Sequence, residues 1–327
     1  MRLSLIMCYS ALMRLLSKCA KGASAGLVIV GLLFAGYAPA SAAPAKGTPA
    51  GGKIEAVGAE NEYADVISQV GGRYVSTTAV ISNPNTDPHE FEASPSVAEE
   101  VSRAQLVVQN GVGYDGFMSK IEAASPSSKR QVIVVQQLLK VPNDAFNPHL
   151  WYDPRTMPKV AQAVAAALSK LEPSHAAYFD SNAKRFVGSL KPWLAAIAHF
   201  KAKFAGTPVA VTEPVADYLL QAMGAQVLTP RSLQSAVMNG TDPSPQDISI
   251  QDHLISARKV KVFVYNQQVT DSLTENFMAQ ASRAGVPVVG VYETMPTGYH
   301  YQTWMLAEVN ALWRAVTSRV STTRLQR

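Results

Sequence analysis

Cysteine is almost missing from this chain of 327 residues, and both examples, Cys8 and Cys19, stand close to the N-terminus. If that end is removed, the remainder can form no disulfide and offers no thiolate to a metal. Charge is also scarce. Asp, Glu, Lys and Arg make up 16% of the residues against a typical quarter, while 47% are hydrophobic, and this combination excludes extensive disorder. There are only six histidines, and the zinc-hydrolase pattern His-Glu-x-x-His does not occur among them. The apolar run at 22–36 is shorter than the roughly 20 residues of a membrane span.

That run reads instead as the core of a secretory signal. Arg2, Arg14, Lys18 and Lys21 precede it, and Ala40-Ser41-Ala42 supplies small residues before a cut. Cys19 precedes the apolar run, which is the wrong order for a lipoprotein signal. Residues 1–42 hold four basic side chains and no acidic one, so their removal lowers the net charge from +5 to +1. The basic isoelectric point is then no argument for nucleic-acid binding. Residues 43–52, rich in Ala, Gly and Pro, read as a flexible tether.

From residue 53 onward, short β-rich runs alternate with helical segments. Strands are expected at 53–57, 74–81, 105–109 and 131–135, with helices between, one of them started by Ser94-Pro95. Repeated βα units imply a mostly parallel sheet. The strand signal then stops for about fifty residues. Residues 157–171 show apolar positions at helical spacing, and a second helical stretch, capped by Ser174, runs to about 204 with Pro192 expected to kink or break it. The βα pattern resumes with strands at 208–211, 226–228, 260–265 and 288–291, a long loop at 229–245, and a closing helix at 301–320. The expected fold is α/β: a lobe at 53–156, a helical connector at 157–204 and a second lobe at 205–327.

Four side chains fall just beyond the carboxyl ends of predicted strands, two in each lobe: His89, His149, Glu213 and Glu293. Open parallel sheets bind ligands at that edge. Two imidazoles and two carboxylates suit one divalent ion in the cleft between lobes, Zn²⁺ favoured by monodentate carboxylates and Mn²⁺ by bidentate ones. Asp87 and Asp153, each followed by proline, read as turn or cap residues. Glu60 is a candidate hydrogen-bond partner for a ligand histidine. Asn266 either orients a cleft loop or caps a turn. His300, close after Glu293, has the cleft mouth as its lesser alternative to a surface place, while His175, His199 and His253 read as surface or packing residues.

The chain also resembles a known family, the zinc- and manganese-binding solute-binding proteins of bacterial ABC transporters. The resemblance runs from about residue 53 to 320. It rests on Asn83-Pro84-Asn85-Thr86-Asp87-Pro88-His89-Glu90-Phe91-Glu92, Asn110-Gly111-Val112-Gly113-Tyr114-Asp115, Asn147-Pro148-His149-Leu150-Trp151-Tyr152-Asp153-Pro154, Thr212-Glu213-Pro214 and Tyr292-Glu293-Thr294-Met295-Pro296. It implies two Rossmann-like lobes joined by a long helix, with metal held between them. His89 and His149 match the first two ligand positions, Glu213 the variable third, and Glu293 the fourth, where Asp is commoner. The His-rich acidic loop of many zinc members is absent between His89 and His149. The implied function is capture of one divalent metal in the periplasm by a monomer, and delivery to a membrane permease, without catalysis. A surface adhesin or metal sensor on the same fold is the alternative, and a metallohydrolase a further one.

Overall fold

The computed structural model describes residues 52–85 and 87–325. The expected signal segment, and all of the tether but its last residue, lie outside the described residues.

The first sheet is built from β1 (Ile54–Glu60), β2 (Val75–Ile81), β3 (Leu106–Gln109) and β4 (Gln131–Val134). All pairings are parallel and the order is β2-β1-β3-β4. Helices α1 (Asn61–Gly71), α2 (Pro95–Arg103), α3 (Gly116–Ala124) and the short α4 (Val135–Leu139) accompany these strands. In α1, Tyr63, Val66, Ile67 and Val70 recur at helical spacing and are all fully buried. The helix ends at Gly72, whose φ of 53° suits glycine, and a Cβ there would meet the Tyr178 hydroxyl at 2.3 Å. In α2 the Ser94 hydroxyl accepts from the Val97 amide and Pro95 opens the helix, as its sequence predicts.

The connector is three helices: α5 (Thr156–Leu171), α6 (Ala176–Ser189) and α7 (Lys191–Phe204). The stretch expected to run from 174 to 204 breaks at Leu190, and Pro192 lies in the first turn of α7, where its missing N–H costs nothing. Ser174 does not cap α6. It sits in a preceding 3₁₀ turn and donates to Glu172, 2.6 Å away.

The second sheet repeats the first: β5 (Pro208–Val211), β6 (Gln226–Val227), β7 (Val262–Asn266) and β8 (Val288–Val291), parallel, in the order β6-β5-β7-β8. Its helices are α8 (Asp217–Ala222), α9 (Arg231–Met238), α10 (Pro245–Ser256), α11 (Ser272–Ala284) and α12 (Tyr301–Ser318). The expected long loop at 229–245 thus contains a helix, because Leu233 and Val237, one turn apart, bury against Phe263 and its neighbours. After α12 the chain turns back, and Thr322 pairs with Val289 on the edge of β8. One apolar core runs through both lobes and the connector, from Ile54 to Ala315. Among the described residues no helix is long and apolar enough to cross a membrane.

Candidate metal centre

His89 lies in a 3₁₀ turn, Pro88–Glu90, beyond β2. Pro88 supplies the first position, and the Asp87 carboxylate accepts from the His89 amide at 2.8 Å. His149 precedes a second 3₁₀ turn, Leu150–Tyr152, and is wholly buried. Its ring meets Trp151 and Tyr114 edge-on, at centroid distances of 5.4 and 5.7 Å. Glu293 follows β8, and its amide and that of Thr294 both donate to the Gln268 side-chain oxygen at 2.8 Å.

These loops bring His89 Nε2 to 3.3 Å and His149 Nε2 to 3.1 Å from Glu293 Oε2. The Tyr114 hydroxyl donates to the same oxygen at 2.9 Å. One ligand atom from each of His89, His149 and Glu293 lies within 4.8 Å of the others, and no other such trio converges among the described residues. Metal bonds of about 2.0–2.2 Å in a tetrahedron separate ligand atoms by about 3.3–3.6 Å, so this cluster has nearly the spacing a zinc ion requires. Glu213 stands outside the trio. It is joined to it by Asn266, whose amide nitrogen donates to Glu213 Oε1 at 3.1 Å and to Glu293 Oε1 at 2.6 Å. Glu213 Oε2 is buried without a hydrogen-bond partner.

The Asn147 side chain donates to the Pro214 carbonyl at 2.7 Å, so its Oδ1 is an acceptor. That oxygen receives the His149 amide at 2.9 Å and faces His149 Nδ1 at 2.8 Å, so Nδ1 carries the hydrogen. A neutral ring then presents its Nε2 lone pair toward a carboxylate oxygen, an arrangement that a proton or a metal ion between the two would favour. Burial pushes the His149 imidazole below its ordinary value and so disfavours a proton as that ion. Burial also opposes charge on His89, but the hydrogen bond and charge of Glu293 prevail and raise it. Burial works against the Glu293 carboxylate too, yet the two imidazoles more than offset it and hold the group below the usual carboxylate range. Glu213 is held well above that range by burial and then by the charge of Glu293, with Asn266 opposing.

Other expectations need correction. Glu60 bonds neither histidine. Burial, with the charges of Asp115 and Glu62 behind it, raises its carboxyl, and both its oxygens lack partners. The residue that orients His149 is Asn147, which sequence reasoning passed over, although its place two residues before a loop histidine is a turn signal. Asn266 does not simply cap a turn, since it ties two carboxylates together. His300 is exposed and pairs with Asp65 at 2.7 Å, away from the trio. The turn reading of Asp153 stands, since its carboxylate accepts from the Arg155 amide and guanidinium. His175 and His199 pack as expected, the first stacked on Tyr74 and the second tilted against Trp313.

Residues 57–315 match the family model described as ZnuA, zinc-uptake complex component A periplasmic. The chain belongs to this family. Its relatives include proteins named as metal-binding lipoproteins of ABC transporters. The manganese-binding lipoprotein MntA of Bacillus subtilis is 25% identical over 145 residues, covering 42% of this chain and 47% of MntA, so the chain matches about half the length of that relative. Among solved structures, the periplasmic zinc-binding protein TroA of Treponema pallidum aligns with 83% of this chain and all of its own, at 19% identity and a TM-score of 0.69. The laminin-binding protein Lbp of Streptococcus pyogenes aligns with 82% of this chain and all of its own, at 19% identity and a TM-score of 0.66. At these identities the two structures speak for the shared two-lobed fold.

Proposed function

We propose that this member of the family binds one divalent transition metal, zinc in preference to manganese, outside the cytoplasm and hands it to the permease of an ABC transporter. His89, His149 and Glu293 hold the ion, and Glu213 completes the set. The lobe at 53–156 contributes the histidines and the lobe at 205–327 the carboxylates, with 157–204 as connector. The observation that carries this reading is the arrangement at Glu293 Oε2, where the Nε2 atoms of two imidazoles both lie within 3.3 Å of one carboxylate oxygen. The unpaired, buried Glu213 Oε2 fits the same cargo, because a divalent ion would satisfy it.

Family membership supports transport of a bound solute rather than turnover of one. Release needs no chemistry. Withdrawing one ligand by a small loop or lobe movement lowers the affinity, since the ion depends on groups from both sides of the cleft.

The test is metal content. The chain from residue 43 onward should hold about one zinc ion, matching the single ligand cluster among the described residues. The His89→Ala plus His149→Ala variant should hold none, Glu213→Ala should bind more weakly, and His253→Ala should match the parent. Equal metal in the parent and the double-histidine variant would remove the site assignment. Binding that saturates with manganese ahead of zinc in competition would reverse the choice of metal.

A further inference from the structure

We propose that Asn266 is a positioning residue that sets the metal preference of this site, by occupying one oxygen of each carboxylate so that four donor atoms remain for the ion. The inference rests on the metal-binding reading given above and deepens it.

Asn266 ends β7 and is buried. Its own groups leave its amide one orientation. The side-chain oxygen accepts from the Gln268 amide at 3.0 Å, and the backbone N–H donates to the Thr212 hydroxyl at 3.0 Å. The side-chain nitrogen therefore faces the carboxylates with its two hydrogens, and there are two carboxylate oxygens to receive them, Glu213 Oε1 at 3.1 Å and Glu293 Oε1 at 2.6 Å. Each hydrogen engages one oxygen. What is left on the carboxylates is Glu293 Oε2, turned toward both imidazoles and also accepting from the Tyr114 hydroxyl, and Glu213 Oε2, buried and unpaired but outside the trio.

With Glu213 Oε2 drawn to the trio by the ion, the donors would be two imidazole nitrogens and two single oxygens. That set matches the four-coordinate preference of zinc with nitrogen and oxygen ligands. Manganese favours a larger, oxygen-rich shell, which here would need at least one carboxylate to bind through both oxygens. To do so the carboxylate must take Oε1 away from Asn266 and leave a buried N–H without an acceptor, which is unfavourable. One amide thus acts against the wider coordination shell while keeping the narrower one intact. Denticity, which residue types alone do not fix, is settled by this neighbour.

The experiment compares Asn266→Leu, similar in size but without the two donors, with the parent, and adds Asn266→Ala in case the leucine variant folds poorly. Zinc and manganese affinities are measured by competition against a chromogenic chelator. Loss of the donors should lower the ratio of zinc to manganese affinity by about tenfold or more, the effect expected of one buried donor no longer set against bidentate binding. X-ray absorption at the zinc edge should show four nitrogen or oxygen neighbours in the parent and more in the variant. If both affinities fall equally and the ratio stays put, Asn266 merely supports packing and the proposal is overturned. A parent zinc shell of five or six neighbours also overturns it, without any variant. A parent that binds neither metal overturns the underlying site reading as well, so the two failures are distinguishable.

Discussion

At His149 the decisive neighbour is a side-chain amide. Asn147 reaches across to the Pro214 carbonyl of the second lobe, and this fixes which of its ends accepts hydrogen. The ring's proton then sits on Nδ1 and its lone pair on Nε2, the nitrogen that faces Glu293. A histidine that ligates a metal needs such a partner on its other nitrogen, and Asn147 supplies one. The same scale holds a pH-dependent group away from the site. Glu308 is fully buried in α12, accepts from Trp304 at 2.9 Å and Tyr152 at 3.4 Å, and has one unpaired oxygen. Burial, opposed by those two bonds, raises its carboxyl to about 8. In the unfolded chain a glutamate ionises near 4.3. Between these values the unfolded state loses the proton that the folded state keeps, so stability falls as pH rises through this window and levels off above it. Glu308→Gln should therefore raise the melting temperature at pH 8 and leave it nearly unchanged at pH 4, as scanning calorimetry at the two pH values would show. An equal change at both would mean that the carboxyl is not the cause.

At the scale of elements, the strands and most helices were legible from residue pattern because burial follows period. The runs at 208–211 and 288–291 coincide with β5 and β8. What escaped was set by tertiary contact. Helix α9 is short and its buried face is small, so the prolines and Asn239-Gly240 around it dominated the reading. The C-terminal tail was read as the end of a helix, but Arg319 takes a φ of 55° and the chain returns to the edge of β8. Gly290 explains how it fits. A Cβ there would lie 2.3 Å from the Thr323 carbonyl oxygen and 2.2 Å from the Gln267 side chain, so a glycine in the middle of a strand is required by close approach. Gly290→Ala should destabilise the protein by about 1–3 kcal/mol through overpacking, and should raise amide exchange at Thr322, whose N–H bonds the Val288 carbonyl at 2.8 Å. Unchanged exchange there would show that the tail does not depend on the missing side chain.

Across the whole molecule, two sheets share one strand order, and the ligand candidates were legible because each lies beyond the carboxyl end of a strand. The sequence marked His89, His149, Glu213 and Glu293 by position alone. It could not tell that three of them converge while Glu213 is held through Asn266, since that depends on side-chain directions in two lobes meeting across a shared core. The second contact line between lobes is equally distributed along the chain: Asn61 pairs with the Met295 backbone through both its oxygen and its nitrogen, at 2.9 and 2.8 Å, and fixes the Glu293 loop against α1. We propose that this convergence is a metal site. Its most direct test is anomalous diffraction at the zinc absorption edge from crystals of the zinc-loaded protein. The account predicts a single strong peak within bonding distance of His89 Nε2, His149 Nε2 and Glu293 Oε2. A peak elsewhere, for instance at the exposed His300–Asp65 pair, or no peak between those three atoms, would contradict it.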